Sequence, residues 1–264
     1  MAMWGRIWTA AAVALVAGCG TGEPAAQTST SDGPVPVVAP VVLAEVPHDV
    51  TAWTQGLEFD GPALYEGTGR VGASQIRQLD PANGAVIRSA ATPGGYYGEG
   101  ITVVGDRIWE LTWRDNVAVE WDKNTLTPVR EVPVDGEGWG VCDDGDRLIR
   151  SDGTDRLRFH EPQNFAETGS VDVTREGRPV RDLNELECVD GQVWANVWKT
   201  NQIVRIDPAT GQVNAVVDAG AIAADQGADN SKVLNGIAHI DGDEYLITGK
   251  LWSSMFRVRI DPPA

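Results

Sequence analysis

The sequence predicts an all-β fold, a five-bladed β-propeller of four-stranded antiparallel blades. From Val41 onward, no long segment shows the 3.6-residue apolar period of a helix, and short β-branched and aromatic runs are divided by Asp-Gly, Asn-Gly and Pro turn signals. Units of one design recur at spacings of 44, 40, 45 and 51 residues. A period in the forties with several strands per unit is typical of propeller blades. A β-sandwich and a larger barrel are the alternatives, but neither explains a fivefold repeat.

Each unit consists of a polar or aromatic residue, an apolar strand, a Gly turn and a second strand. The five stretches are TQGLEFDGPALYEGTG, GEGITVVGDRIWELTW, GWGVCDDGDRLIRSDGT, LNELECVDGQVWANVW and LNGIAHIDGDEYLITGK. Segments between them, such as NVAVEWDKNTLTPVREVPV, are predicted to form the outer two strands of each blade. The early stretch PVVLAEVPHD is expected to complete the last blade and close the ring.

The N-terminus has the pattern of a targeting segment. Residues 1–18 are predicted to be a lipoprotein signal peptide, because Arg6 precedes an apolar run and small residues lead to Cys19. The stretch LVAGC resembles the lipobox of bacterial lipoproteins, in which the cysteine is lipidated; an uncleaved anchor with an incidental cysteine is the alternative. Residues 19–40 are predicted to be a flexible tether and residues 41–264 the propeller. We therefore expect an extracytoplasmic, cell-envelope lipoprotein that meets the membrane only through its lipid.

Charge and cysteine content limit the partners. A formal net charge of −17 argues against nucleic acid, because phosphate binding relies on Lys and Arg. A closed propeller ring needs no partner, so a monomer is expected. Apart from Cys19, the chain has Cys142 and Cys188. In an oxidising compartment these two form either a disulfide or two buried thiols, and the sequence leaves both open.

Aligning the units on their turn glycines predicts a ring of side chains at one mouth of the propeller channel. The first strands begin at Gln55, Glu99, Trp139, Asn184 and Asn235. The second strands end at Glu66, Trp113, Asp152, Trp198 and Lys250. In a hairpin these two positions lie side by side, so all ten are expected at the same mouth. Such polar groups are costly to desolvate without a purpose, which predicts the functional site there.

The residue types at this mouth favour acid–base chemistry. No catalytic metal is predicted, because His48, His160 and His239 are scattered, although a structural calcium ion among the Asp-rich turns stays possible. A Ser/His/Asp triad has no elbow motif. What remains is a carboxylate in a Trp-walled pocket, where burial raises its pKa toward the operating pH. Glu99 stands between two glycines, and we interpret this as a group meant to be reached.

Ten motifs carry a resemblance to a known family. In order they are TQGLEF, YEGTG, YGEGIT, LTW, GWG, SDGT, LNELE, WANVW, LNGIA and TGKLW. Over roughly residues 42–260 the chain resembles the plant- and bacterial-type glutaminyl-peptide cyclotransferases, which are five-bladed propellers. The resemblance implies conversion of the N-terminal glutamine of peptides or proteins to pyroglutamate, with release of ammonia and without a catalytic metal. It places the catalytic glutamate at Glu99 and the pocket at Gln55, Trp113, Trp139, Asn184, Trp198 and Lys250.

Roles follow from the chemistry of this reaction. Glu99 is predicted to carry a proton from the α-nitrogen to the leaving nitrogen, with Lys250 and Asn184 as further catalytic residues that orient the carboxamide or stabilise the oxyanion. The substrate-binding candidates are Gln55, Trp113, Trp139, Trp198, Asn235, Glu66, Asp152 and Glu187. Trp109, Trp121 and Trp194 are assigned to the core.

Each of these predicted roles has a purely structural alternative. Trp113 and Trp198 could pack between blades, and Glu66 and Asp152 could simply accept backbone N–H groups at strand ends. Glu187 could be a structural hydrogen-bond acceptor. At the level of the whole protein, the alternative is a non-catalytic lipid-anchored propeller that binds peptides or glycans at the channel mouth. A metal-dependent propeller hydrolase such as a lactonase is a weaker third possibility.

Overall fold

The regular secondary structure of the described residues is almost entirely β-strand, as the alternating apolar runs predict. The structure is a computed structural model and describes residues 1–3, 5 and 33–262. In the described part, the helical segments are α1 (Gly220–Asp225) and a 3₁₀ turn at Pro93–Gly95. No helix in that part is both long and apolar enough to cross a membrane. The predicted lipidation site, Cys19, and nearly all of the predicted signal peptide lie outside the described residues.

The first three repeat units each form a four-stranded antiparallel meander. Two strands precede them, β1 (Val37–Val38) and β2 (Val41–Pro47). The first unit contains β3 (Thr54–Asp60), β4 (Ala63–Thr68), β5 (Gln75–Leu79) and β6 (Val86–Ala91). The second contains β7 (Gly98–Val104), β8 (Arg107–Thr112), β9 (Val117–Asp122) and β10 (Thr127–Pro133). The third contains β11 (Val141–Asp143), β12 (Leu148–Ser151), β13 (Arg156–His160) and β14 (Glu167–Asp172).

Two more sheets follow. The fourth contains β15 (Thr174–Arg175), β16 (Arg178–Pro179), β17 (Leu183–Val189), β18 (Gln192–Val197), β19 (Gln202–Asp207) and β20 (Gln212–Asp218). The last contains β21 (Leu234–Asp241), β22 (Glu244–Gly249) and β23 (Ser254–Arg259). Its order is β2-β23-β22-β21, with Val41 opposite Arg259 and Pro47 opposite Ser254. The prediction that the early strand completes the last blade is confirmed.

The prediction that every blade has four strands is wrong for the fourth sheet. It has seven strands in the order β16-β15-β20-β19-β18-β17, with β1 also paired to β20. β1 runs parallel to β20, with Val37 opposite Val216, although these residues fall in the segment predicted as tether. The added strands cover the N–H and C=O groups that β20 would otherwise expose at a sheet edge. Four sheets of the described chain are therefore four-stranded blades in a propeller-like arrangement, and this one is wider.

The core lies between neighbouring sheets. The first strand of each sheet contacts the next around a ring, in the order β3, β7, β11, β17, β21 and back to β3. Apolar side chains from adjoining sheets interlock outside this ring. Trp121 packs with Ile76 and Trp109 packs with Phe165, while Trp194 packs with Tyr245. The assignment of Trp109, Trp121 and Trp194 to the core is confirmed, with exposures of 1%, 0% and 3%.

The glycines beside Glu99 serve this close packing of inner strands. The N–H of Gly100 donates to the carbonyl of Trp139 at 2.7 Å. A Cβ atom on Gly100 would lie 2.6 Å from that oxygen, and one on Gly98 would lie 2.5 Å from Glu110 Oε1. Glu99 itself is only 5% exposed. The two glycines therefore serve packing, because Gly100 lets the third sheet approach and Gly98 makes room for Glu110 on the paired strand.

Candidate active site

A β-bulge at one end of the inner hairpins places the site residues. Thr54 faces Thr68 and Gly56 faces Gly67, which leaves Gln55 without an opposite residue. In the second sheet, Gly98 faces Thr112 and the next paired residue is Ile101, opposite Glu110. The same irregularity occurs before Leu186 and before Ile237. Bulges turn side chains away from the pleat, so Gln55, Glu99, Asn184 and Asn235 leave the regular alternation of their strands.

Seven of the predicted residues line a single pocket of about 150 Å³. They are Gln55, Glu99, Trp113, Trp139, Asn184, Trp198 and Lys250. Five residues that we had not assigned to the site complete the wall: Trp53, Tyr97, Asn230, Ser231 and Val233. The only sequence signal for Tyr97 is its closeness to Glu99, two residues further along the chain. The other end of the pocket, at 230–233, comes from a loop that carries no motif.

Aromatic rings form the pocket wall in two contacting pairs. Trp139 meets Trp198 edge to face, with ring centroids 5.3 Å apart, and Tyr97 meets Trp113 at 5.4 Å. Glu137, which sequence reasoning missed, accepts hydrogen bonds from Nε1 of Trp113 at 2.8 Å and of Trp139 at 2.9 Å. Burial opposes the charge of Glu137, but these indoles and Arg114 hold its pKa below the usual value. One carboxylate thus fixes two walls of the pocket.

Glu99 is the buried acid of the pocket. Its Oε1 accepts a hydrogen bond from Gln55 Nε2 at 3.0 Å. Burial raises the pKa of Glu99 well above its ordinary value; Lys250 opposes this shift and the charge of Glu137 adds to it. A carboxyl group with a raised pKa can both accept and return a proton near neutral pH, as a general acid–base catalyst must.

Lys250 is the buried base of the pocket, only 4% exposed. Burial lowers its pKa to about 8, and the neighbouring Glu99 opposes that shift. Its ammonium group stands 5.6 Å from the ring centroid of Trp53. Desolvation therefore shifts the pKa values of Glu99 and Lys250 towards each other, and the attraction between the two opposite charges opposes both shifts.

The amides of the site form a short chain behind Glu99. Asn235 Nδ2 donates to the carbonyl of Thr54 at 3.0 Å and to Gln55 Oε1 at 3.3 Å, and Gln55 then donates to Glu99. Asn235 is fully buried and does not line the pocket, so it orients Gln55 from behind. The buried Oδ1 atoms of Asn184 and Asn235 both lack a partner, but only Asn184 lines the pocket, so its Oδ1 is available to a donor on a ligand.

Glu66 and Asp152 lie outside the pocket, although they were predicted to belong to its ring of ten residues. Glu66 pairs with Leu57, further into the hairpin than Gln55, and its Oε1 accepts from Thr54 Oγ1 at 2.8 Å and His48 Nε2 at 2.9 Å. Asp152 follows the end of β12 and accepts from Arg158 Nε at 2.7 Å. Neither lines the pocket. Regular pairing back from Asp60 and Ala63 puts Glu66 opposite Leu57 rather than Gln55, and Asp152 is held by Arg158.

Glu187 belongs to a different set of acids, the inner-strand carboxylates Glu58, Glu185 and Glu187. Each accepts a backbone N–H from another inner strand. Glu58 accepts from Val103 at 3.0 Å, and Glu187 accepts from His239 at 3.2 Å. Glu185 accepts from Leu57 at 3.3 Å and Ile237 at 2.9 Å. Burial raises the pKa of Glu58 to about 8 and those of the other two well above the ordinary value. The predicted place of Glu187 beside the substrate is therefore corrected.

A disulfide joins Cys142 on β11 to Cys188 on β17, with Cα atoms 5.5 Å apart. It ties the inner strands of the third and fourth sheets together. No group of three or more His, Cys, Asp or Glu side chains in the described residues is arranged to hold a metal ion.

Comparison with known proteins decides the family. The family described as glutamine cyclotransferase matches residues 11–260. The chain belongs to the glutamine cyclotransferase family. A glutaminyl-peptide cyclotransferase from Arabidopsis thaliana is 36% identical over 225 residues, which is 83% of this chain and 70% of the relative. The crystal structure of Myxococcus xanthus glutaminyl cyclase is similar with a TM-score of 0.81 and 37% identity, covering 88% of this chain and 100% of that one.

These matches also bear on the activity of the chain. The family and both relatives indicate glutaminyl-peptide cyclotransferase activity. The matches lend no support to the alternative of a non-catalytic binding propeller. The resemblance drawn from ten short motifs is confirmed at the level of the family.

Proposed function

We propose that this cyclotransferase converts the N-terminal glutamine of peptides and proteins to pyroglutamate, releasing ammonia, with Glu99 as the proton shuttle. One observation carries the proposal: a buried carboxyl group with a raised pKa faces a buried lysine inside a small aromatic pocket. The site is narrow enough to admit a chain end rather than a folded surface. An N-terminal residue is the part of a polypeptide that fits such a pocket.

The pocket wall supplies the geometry of attack. The glutamine side chain must curl so that its amide carbon meets the α-nitrogen of the same residue. Trp139 and Trp198, held edge to face, enclose this curled side chain, and Glu137 keeps the Trp139 ring in place. An intramolecular attack gains its rate from such a near-attack geometry.

Proton transfer is the task of Glu99. The uncharged α-amine attacks the side-chain amide carbon, a C–N bond forms, and the carbonyl electron pair moves to oxygen. Glu99 takes the surplus proton from the attacking nitrogen and delivers it to the amide nitrogen. The old C–N bond then breaks, the carbonyl reforms, and ammonia leaves. Gln55, itself oriented by Asn235, holds one oxygen of Glu99, which leaves the other for this exchange.

Lys250 stabilises the developing charge, and Asn184 helps to bind the substrate. The ammonium group of Lys250 is desolvated, so its attraction to a developing oxyanion is stronger than it would be in water. The unpartnered Oδ1 of Asn184 suits an N–H donor of the substrate, such as the α-amine. No cofactor takes part in the proposed reaction.

The direct test measures ammonia release from Gln-Ala-amide by the wild type and by Glu99→Gln, each with and without a chelator. We expect wild-type turnover that resists the chelator and is lost in Glu99→Gln. The matched control is Glu131→Gln, which changes an exposed carboxylate in the outer strand β10. A folded wild type that releases no ammonia from several glutaminyl peptides would leave the pocket as a binding site. Activity that disappears with the chelator would point to a metal-dependent hydrolase instead.

The finer architecture and the location are also proposals. We propose that the seven-stranded sheet acts as the fifth blade, because β17 to β20 run in the same order as the blades and β17 takes its place in the inner ring. We also propose a monomeric extracytoplasmic lipoprotein, on the basis of LVAGC, the tether-like composition and the disulfide, which suits an oxidising compartment. Mass spectrometry of the mature chain from its native cell tests for a lipid on Cys19.

A further inference from the structure

Lysine is concentrated at the site in an unusual way. The chain has four lysines and a net charge of −17. Lys123 forms an ion pair with Asp60, and Lys250 lies in the pocket. The other two, Lys199 and Lys232, line a second cavity. Three of four lysines thus stand at one place on a strongly acidic protein.

The second cavity adjoins the pocket. We define the lysine cleft as this cavity, of about 330 Å³, between Lys199 and Lys232. Asn230 and Val233 line both the cleft and the pocket, so the two spaces share a wall. When the first residue of a peptide fills the pocket, the residues that follow it can run along this wall into the cleft.

The lysine cleft carries an excess of positive charge. The ammonium of Lys199 stands 4.0 Å from the ring centroid of Trp198, which places it at the pocket rim. In the described part of the chain, neither Lys199 nor Lys232 makes an ion pair. One acid opposes them, Asp229, whose pKa is lowered to about 2 by hydrogen bonds from Ser231 and Lys232. With two cations and one anion, the titratable groups lining the cleft sum to one positive charge.

The wall of the cleft is held in place by the protein itself. Asp229 Oδ1 accepts the backbone N–H of Ser231 at 2.7 Å and of Lys232 at 2.9 Å, which turns this acid into the loop. Gln226 Oε1 accepts the N–H of Ser253 at 2.9 Å, and Trp252 Nε1 donates to the carbonyl of Lys232 at 3.3 Å. Lys232 is therefore presented from a supported loop, which reduces the ordering cost of binding, while Lys199 is held against the ring of Trp198.

We propose that the lysine cleft binds a carboxylate of the substrate peptide beyond its N-terminal glutamine. The inference rests on the proposed function, which puts the glutamine in the adjoining pocket. A chain advances at most about 3.3–3.6 Å per residue, so an acidic side chain or a C-terminal carboxylate one or two residues on comes level with the cleft. The cleft thereby makes the enzyme selective for glutaminyl peptides with an early negative charge.

The test compares kcat/KM for four peptides. Gln-Ala-Ala-amide is the neutral reference and Gln-Gln-Ala-amide controls for side-chain size. Gln-Glu-Ala-amide offers an acidic side chain, and Gln-Ala-Ala with a free C-terminus offers the other source of a carboxylate. We expect a preference of about two- to fivefold per lysine for at least one acidic peptide over its neutral partner, and weakening with added salt. The peptide that shows it identifies the source of the carboxylate.

Substitutions assign the preference to the cleft. Lys199→Gln and Lys232→Gln should each reduce the ratio of acidic to neutral kcat/KM, and the double variant should abolish it. The ratio is the readout, so a general loss of activity cancels. Arg178→Gln removes one positive charge from an exposed position on β16 and should leave the ratio unchanged.

The outcomes separate the two proposals. If no peptide releases ammonia, the proposed function fails. If the neutral peptide is turned over and the acidic peptides are no better, or if the preference survives in the double variant, the function stands and the lysine cleft proposal is wrong.

Discussion

Two regions of the molecule bury carboxyl groups with raised pKa values, and they use them differently. The inner-strand carboxylates Glu58, Glu185 and Glu187 give their oxygens to backbone N–H groups of other strands. Glu99 gives one oxygen to the side chain of Gln55 and otherwise faces a pocket that also contains Lys250. The first group joins strands, and the second has an oxygen left for a ligand.

The comparison shows that a raised pKa alone does not identify a catalytic acid. Burial shifts the pKa of Glu58 to about 8, in the same direction as that of Glu99. Glu99 differs because it lines an accessible pocket with aromatic walls, together with the desolvated ammonium group of Lys250. Perturbed pKa values indicate function only together with such geometry.

Enzyme activity should distinguish Glu99 from the inner-strand carboxylates most strongly. Glu99→Gln should lower kcat for ammonia release by about 10²–10⁴-fold, the usual contribution of a positioned acid–base group. Glu58→Gln keeps an acceptor for Val103 and touches no pocket residue, so kcat should stay near the wild-type value. Steady-state kinetics on Gln-Ala-amide measures both. An equal loss of kcat in the two variants would mean that Glu58 contributes to catalysis as much as Glu99 does.

The next effect concerns stability. Glu185→Ala leaves two buried backbone N–H groups, those of Leu57 and Ile237, without acceptors. Each orphaned group costs about 1–3 kcal/mol, so the free energy of unfolding should fall by about 2–6 kcal/mol. Chemical denaturation checks this, with Glu161→Ala as an exposed control expected to change stability by less than about 0.5 kcal/mol. If Glu185→Ala unfolds like the wild type, the inner-strand carboxylates are not structural.

The disulfide, like the inner-strand carboxylates, joins inner strands of different sheets. It closes a sequence separation of 46 residues between β11 and β17. The double variant Cys142→Ala with Cys188→Ala should lose about 2–4 kcal/mol of stability, because the unfolded chain gains freedom. The kcat of the folded double variant should remain, since neither cysteine lines the pocket. Treating the wild type with a reductant should reproduce the drop in stability; loss of kcat without a change in stability would contradict the assignment.

The sequence predicted those parts of the fold and site that repeat. The first-strand residues of the units are visible because the same turn glycines recur, and the last blade closes with the early strand as expected. The extra strands of the fourth sheet were missed because β1, β15 and β16 are only two residues long. Strands that short have no period to detect.

The errors within the site come from register and from unmarked loops. Glu66 was placed at the mouth by pairing it with Gln55, but the hairpin register that sets Asp60 opposite Ala63 puts Glu66 opposite Leu57, further inward. Glu137 and Ser231 lie in loops, where no alternation shows which way a side chain points. Glu137 could have been suspected only from its place two residues before Trp139.

The pH dependence of kcat tests whether Lys250 acts as a cation beside Glu99. Its pKa is lowered to about 8, so the charged form is complete well below pH 8 and is lost as the pH rises through that value. If the ammonium stabilises the oxyanion, kcat should fall about tenfold per pH unit above this point, while the lower limb reports deprotonation of Glu99.

Lys250→Arg separates this limb from the titration of the substrate. An arginine stays charged, with a pKa above about 12, so the fall attributed to Lys250 should disappear from the profile even if the larger side chain lowers kcat at every pH. The substrate amine, with a pKa of about 7.7–8.0, titrates identically with both enzymes and cancels in the comparison. Superimposable profiles would mean that the charge of Lys250 is not used, and the pocket would then rely on Glu99 and its amides alone.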